Sequence, residues 1–231
     1  MMFFPFPHYS SMVFFDTETT GLDFQKGQIT QFAGKRVLPD GSSCRATWYA
    51  QVKSEVDYSE EVQKLTGLEE SFLHEHGIFE EELAKKVYNF LFSHAPVVLI
   101  AHNAQFDLLF ILELMQRYGY SLDDSPYSIL DTITVARDRK EFPHKLIDMM
   151  HHYNTNIDAN LHRADVDVSV LINVFYSMLH EKNDINYYLN VIGVPPKKNI
   201  MGYQLPGIRY KDQPWFHIGT MRPPVYATID I

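Results

Sequence analysis

Asp16 and Glu18 stand two residues apart at the end of an apolar run, Met12-Val13-Phe14-Phe15. Alternate side chains of a strand share a face, so both carboxylates would point the same way. Two acids on one face of an otherwise buried strand repel, and a divalent cation between them relieves the cost. Two later stretches carry matching groups. Asn103 and Asp107 lie in Ala101-His102-Asn103-Ala104-Gln105-Phe106-Asp107, and His162 and Asp167 lie in His162-Arg163-Ala164-Asp165-Val166-Asp167. Each has an ordinary reading alone: Asp is favoured in a first helical turn, Asn caps helices, and Asp-x-Glu is common at strand ends. Together they are less ordinary, because every acid falls at a strand end or helix start, and such positions converge on one edge of an α/β sheet.

The elements that must position these groups follow from periodicity. Met12 to Asp16 reads as a first strand. Gln28 to Leu38 and Thr47 to Val52 are two more, with Pro39-Asp40-Gly41-Ser42 as the turn between them, which suggests an antiparallel meander. Glu80 to Phe92 has helical spacing and is followed by a β-branched run, Val97 to Ala101. Phe106 to Tyr118 reads as a helix closed by Gly119, and Tyr127 to Leu130 as a short strand running into Asp131. Asp165 to His180 is a strongly amphipathic helix. The result is an α/β mixed sheet with flanking helices over residues 1–182. Residues 183–231 differ, because prolines from Pro195 to Pro224 alternate with Tyr203, Tyr210, Trp215, Phe216 and Tyr226. That composition predicts an irregular C-terminal extension packed on the domain or on a partner.

Composition narrows the functional classes. The 231 residues are 45% hydrophobic, enough for a buried core. Cys44 is the one cysteine, so no intrachain disulfide can form and a reducing, cytoplasmic setting is expected. The longest apolar run, Ala95 to Ala101, is far short of the roughly 18 residues of a membrane span. Met1 to Pro7 lacks the basic segment of a signal peptide. A net charge of -9 argues against a broad nucleic-acid-coating surface, yet it suits a site in which bound cations meet phosphate. Arg137-Asp138-Arg139-Lys140 reads as a solvated face. His144 and His151-His152 lack zinc spacing and read as surface residues. Cys44 reads as partly buried, and Lys197-Lys198 is a weak nucleic-acid signal.

Phe15-Asp16-Thr17-Glu18-Thr19-Thr20-Gly21, the Ala101 to Asp107 segment and His162-x-Ala164-x-x-Asp167 resemble the three motifs of the DEDDh 3′-5′ exonucleases. That group includes the proofreading subunit or domain of bacterial replicative polymerases, and the likeness spans Met12 to His180. It implies a ribonuclease-H-like fold. Asp16, Glu18, Asp107 and Asp167 would hold two Mg²⁺ or Mn²⁺ ions, and His162 would be the general base. Thr19, Thr20, Leu65, Thr66, Leu68, Asn103 and Phe106 would grip the terminal nucleotide, Leu65 to Leu68 matching the family's loop after its third strand. Asp131-Thr132 resembles an acid-Thr pair after its fifth. Gln31 departs from the pattern, since many relatives carry Glu there.

The implied substrate is a single-stranded or frayed 3′ end, DNA ahead of RNA, with a polymerase or a second copy of the chain as candidate protein partners. An RNA-trimming enzyme of the same family and a catalytically silent nucleic-acid-binding module are the alternatives.

Overall fold

The computed structural model describes residues 3–122, 125–155, 163–194 and 203–213. Its core is one five-stranded sheet. The strands are β1 (Ser11–Thr19), β2 (Ile29–Val37), β3 (Ser43–Tyr49), β4 (Val97–Ala101) and β5 (Tyr127–Asp131), in the spatial order β3-β2-β1-β4-β5. β1, β2 and β3 form the expected antiparallel meander, and β4 and β5 continue the sheet in parallel.

The alternation along β1 decides which helix meets which face. Met12 and Phe14 join Val98, Ile100 and Leu130 on one face, under α7 (Ala164–Glu181), where Phe14 meets Phe175 edge-on at 5.1 Å. Val13 and Phe15 join Leu99 and Ile129 on the other, under α3 (Glu80–Phe92) and α4 (Ala104–Arg117). Four short helices complete the framework. α1 (Glu60–Thr66) and α2 (Glu70–His76) follow β3, and α5 (Thr132–Arg139) and α6 (Leu146–His152) follow β5. No helix among the described residues is long and apolar enough to cross a membrane.

Several expectations need correction. β1 runs on through Glu18 to Thr19, so the two acids stand inside the strand. β3 begins at Ser43, four residues early, because the preceding turn closes tightly: Leu38 donates to the Ser42 carbonyl. The presumed solvated face at Arg137 to Lys140 is partly buried. Arg139 is paired with Asp184 and donates to the Met178 carbonyl at 2.6 Å, while Arg137 donates to the Gly193 carbonyl at 2.8 Å. Those partners lie 39 to 56 residues away in sequence, beyond the reach of local pattern. His144 is buried, with Nε2 against the Lys140 carbonyl at 2.8 Å, whereas His151 and His152 are exposed. Cys44 is exposed on the edge strand β3.

The C-terminal extension is more regular than its composition suggests. A 3-10 turn (Ile185–Tyr188) leads to β6 (Val191–Val194), which pairs in parallel with β7 (Arg209–Asp212). Its junction with the main sheet is Asn190, in the left-handed region at φ 57. Asn190 N–H donates to the Ile129 carbonyl at 2.8 Å, its side-chain oxygen accepts from Ile129 N–H at 2.9 Å, and its amide nitrogen donates to Ser128 Oγ at 3.0 Å. One residue thus satisfies both backbone groups of Ile129 on the open edge of β5. Gln213 anchors the other end by donating to the Thr134 carbonyl at 2.7 Å. His162, Pro195, Lys197, Lys198, Trp215, Phe216 and Tyr226 lie outside the described residues.

Replacing Asn190 by Ala leaves the Ile129 N–H without its partner, so stability should fall by about 1–3 kcal/mol, the cost of an unsatisfied buried donor. Urea unfolding checks this, and an unchanged midpoint would show that the junction contributes nothing.

Candidate active site

Asp16 and Glu18 follow Phe14 in the strand alternation and therefore lie on the α7 face of β1. Asp167 reaches them from the first turn of α7. Ligand atoms of these three carboxylates lie within 4.8 Å of one another. The crowding shows in their acidities. Burial first, then the charges of Asp107, Asp167 and Glu18, raise the Asp16 pKa well above the usual carboxylate range. Glu18 is pushed up to about 8 by burial and by Asp167 and Asp107. Such a cluster fits a divalent cation, whose charge would offset the repulsion.

Asp107 arrives from the opposite face, in the first turn of α4. β4 pairs with β1 only from Ser11 to Phe14, so the β4 side of β1 has no strand partner beyond that point. Asp107 fills the place. Its Oδ1 accepts from Thr17 N–H at 2.9 Å and from Thr17 Oγ1 at 2.7 Å. Thr17, between the two acids in sequence, points to the other face and ties the fourth carboxylate to the same strand. Burial raises Asp107 to about 7, against the lowering effect of the Thr17 hydrogen bonds.

Asp131 holds the start of α4. Asn103 takes a left-handed conformation at φ 71, and its N–H and that of Ala104 both donate to Asp131 Oδ1, at 2.9 and 3.2 Å. Asp131 also caps α5, accepting from Ile133 N–H and, at Oδ2, from Thr134 Oγ1. Beside it, His102 lies with Nδ1 2.9 Å from Thr132 Oγ1 and Nε2 2.8 Å from the His144 carbonyl. Burial lowers the His102 pKa and favours the neutral ring.

Gln31 supports α7 from beneath. It faces Glu18 across the β1/β2 ladder, its oxygen accepts from Ala164 N–H, and its amide nitrogen donates to Asp165 Oδ1, both at 3.2 Å. A glutamate could not donate to Asp165 in its ionised form and would add a charge opposite Glu18. The amide suits both partners.

The residues expected to grip a nucleotide divide into two sets. Leu65 is 58% exposed, Asn103 is exposed and Phe106 is half-buried against Phe110. Thr66 and Leu68 turn inward at the end of α1, where Gly67 takes φ 68: Thr66 Oγ1 donates to the Val62 carbonyl, and Leu68 packs with Tyr58 and Leu73. Tyr58 OH donates to the Leu68 carbonyl at 2.7 Å. Burial, with a contribution from the Glu18 charge, raises the Tyr58 pKa, which sets this helix end near the acids. Thr19 and Thr20 are buried, and their hydroxyls bond Gly21 and Gln28 within their own loop. Leu22, 79% exposed after Gly21, is an apolar side chain that the sequence reading passed over.

The family model for RNase T, described as exonuclease, matches residues 13–175. The chain belongs to the RNase T exonuclease family. Within that family it is 29% identical over 177 residues to DNA polymerase III PolC-type of Caldanaerobacter subterraneus subsp. tengcongensis, a match covering 75% of this chain and 12% of that protein. It is 27% identical over 191 residues to the DNA polymerase III epsilon subunit of Rickettsia typhi, covering 75% and 80%. With the 3′-5′ exonuclease DinG of Bacillus subtilis the figures are 27% identity and coverage of 76% and 18%. PolC and DinG are therefore much longer than the segment they share with it. Solved exonuclease I structures have the same fold. That from Methylocaldum szegediense gives a TM-score of 0.67 at 19% identity, covering 76% of this chain and 41% of the other. E. coli exonuclease I in complex with a dT13 oligonucleotide gives 0.65 at 18%, covering 74% and 41%.

The raised acid pKa values have a sign that can be tested. The folded, metal-free protein holds more protons than the unfolded chain between the ordinary carboxylate range and about pH 8, so stability is greatest at the acid end and falls as pH rises through that window. The metal-free melting temperature should drop between pH 5 and 8, and Glu18→Gln should flatten the drop. Adding Mn²⁺ at pH 8 should restore several degrees. A parental melting curve indifferent to both pH and Mn²⁺ would contradict the clustering.

Proposed function

We propose that the chain is a divalent-metal-dependent 3′-5′ exonuclease that removes nucleoside 5′-monophosphates from single-stranded or frayed DNA ends, in proofreading or repair. The observation that carries this reading is the set of Asp16, Glu18 and Asp167 within 4.8 Å, with Asp107 tied to the intervening Thr17. Those acids would hold two Mg²⁺ or Mn²⁺ ions, which, when bound, supply the positive charge that phosphate requires and acidify water.

The remaining tasks fall to the chain's own groups. Thr17 fixes the Asp107 carboxylate from two donors, both on Oδ1, which leaves the other oxygen without a Thr17 bond. Gln31 and Asp131 hold the helix starts from which Asp167 and Asp107 project. His162, by its motif position, would accept the proton of the attacking water on an imidazole nitrogen, for which an unperturbed pKa near 6.5 is suited. Leu65, Asn103 and Phe106 offer the exposed surface for the terminal nucleotide, and apolar contact of this type tolerates any base.

DNA is favoured over RNA because the solved exonuclease I structures with this fold include complexes with dT13 and dA16 oligonucleotides. A polymerase is favoured as protein partner because one relative is an epsilon subunit of DNA polymerase III, with a second copy of the chain as the alternative. Residues 1–182 would then be the exonuclease domain and 183–231 its extension.

The test is digestion of matched 5′-labelled DNA and RNA oligonucleotides with Mg²⁺ or Mn²⁺. The DNA should shorten stepwise from its 3′ end. Asp16→Ala should abolish cleavage without lowering the metal-free melting temperature, and His162→Ala should cost roughly 10²–10⁴-fold in turnover while Mn²⁺ binding survives. Faster digestion of RNA would reassign the substrate, and intact oligonucleotides of both kinds would leave a binding module in place of an enzyme.

A further inference from the structure

The segment after β6 returns to the active site. Gln105, in the same first turn of α4 as Asp107, donates from Nε2 to the Tyr203 carbonyl at 3.0 Å. Its Oε1 accepts from Tyr210 OH at 2.6 Å, and that phenol oxygen accepts from Leu205 N–H at 2.9 Å. Leu205 itself is buried in the core cluster of α3 and α4. Residues 203–210 are thus tied down as a strap across the start of α4, beside Asn103 and Phe106. The strap presents one ring. Tyr203 is 47% exposed and meets Phe24 edge-on, with centroids 5.1 Å apart and planes at 78°. Phe24 belongs to the loop that leaves β1 after Glu18 and Thr19 and returns at Gln28, so its ring sits on a segment that begins at the site acids, and the Tyr203 backbone is bonded to the helix turn that carries Asp107.

We propose that Tyr203, braced by Phe24 and Gln105, is a stacking surface for the base on the 5′ side of the terminal nucleotide. This rests on the exonuclease reading above. On that reading Leu65, Asn103 and Phe106 would take up the terminal nucleotide, and the base before it would lie close by. A half-exposed, edge-braced aromatic ring on a segment bonded to Gln105, the neighbour of Phe106 in sequence, matches the face of any base. It also suits a chain of net charge -9, whose hold on a single strand must lean on apolar contact more than on phosphate neutralisation.

The experiment compares two substrates. With an oligothymidylate strand, Tyr203→Ala should raise KM about 10-fold with kcat retained, the scale of one lost base-aromatic stack. Hydrolysis of the p-nitrophenyl ester of thymidine 5′-monophosphate, which has no upstream base, should stay at the parental rate. Tyr203→Phe keeps the ring and should keep the parental KM. An abasic residue next to the 3′-terminal nucleotide should raise the parental KM by a similar factor and add nothing to Tyr203→Ala. An unchanged KM in the Ala variant, or an abasic penalty undiminished in it, overturns the proposal. If the parental protein cleaves neither substrate, the exonuclease reading fails instead. Fluorescence anisotropy with the labelled strand and Ca²⁺ then decides the stacking proposal by the same pattern in Kd.

Discussion

Mutual repulsion among Asp16, Glu18 and Asp167 is the constraint on which the rest of the site depends. Burial resists the ionisation of these carboxylates first, and their mutual charges, with ligand atoms within 4.8 Å of one another, add to that resistance. A chain left to itself would spread such groups apart. Here they are carried on elements that cannot yield: Asp16 and Glu18 on a strand paired along most of its length on the β2 side, and Asp167 on a long helix packed against that strand through Phe175 and Leu171. The core therefore holds in place a local charge excess that a bound cation is fitted to relieve.

Asp107 illustrates how the two faces of the sheet cooperate. The strand alternation that sends Asp16 and Glu18 toward α7 sends Thr17 toward α4, where β1 has outrun its parallel neighbour. The unpaired strand edge is the opening through which the fourth acid enters. Asp131 plays the complementary part beneath it, holding the left-handed Asn103 turn by two amide donors so that the first turn of α4 starts at the right place.

Much of this was legible in the residues. The period-two spacing of Asp16 and Glu18, the apolar run of β4 and the amphipathic face of α7 each reflect contacts repeated along one element, and such contacts leave a local pattern. What escaped notice depends on partners distant in sequence. The Arg139 pair with Asp184, the capping of α4 by Asp131 and the support of α7 by Gln31 leave no periodic trace, since each is a single contact between separate elements. α1 and α2 are seven residues each and mostly polar, too short for a helical stripe to emerge. The pairing of β6 with β7 was hidden by prolines in the connection. Thr17 could have been found, because a residue between two same-face acids must point to the other side.

Proton release on metal binding tests the central claim most directly. Calorimetric titration of Mn²⁺ at pH 7, repeated in buffers of different ionisation enthalpy, counts the protons displaced. With Glu18 near 8, Asp107 near 7 and Asp16 also raised before metal binds, about one or more protons should leave per site filled, and fewer as pH rises above 8. Binding with no proton release at pH 7, or binding that survives Asp16→Asn undiminished, would contradict the account.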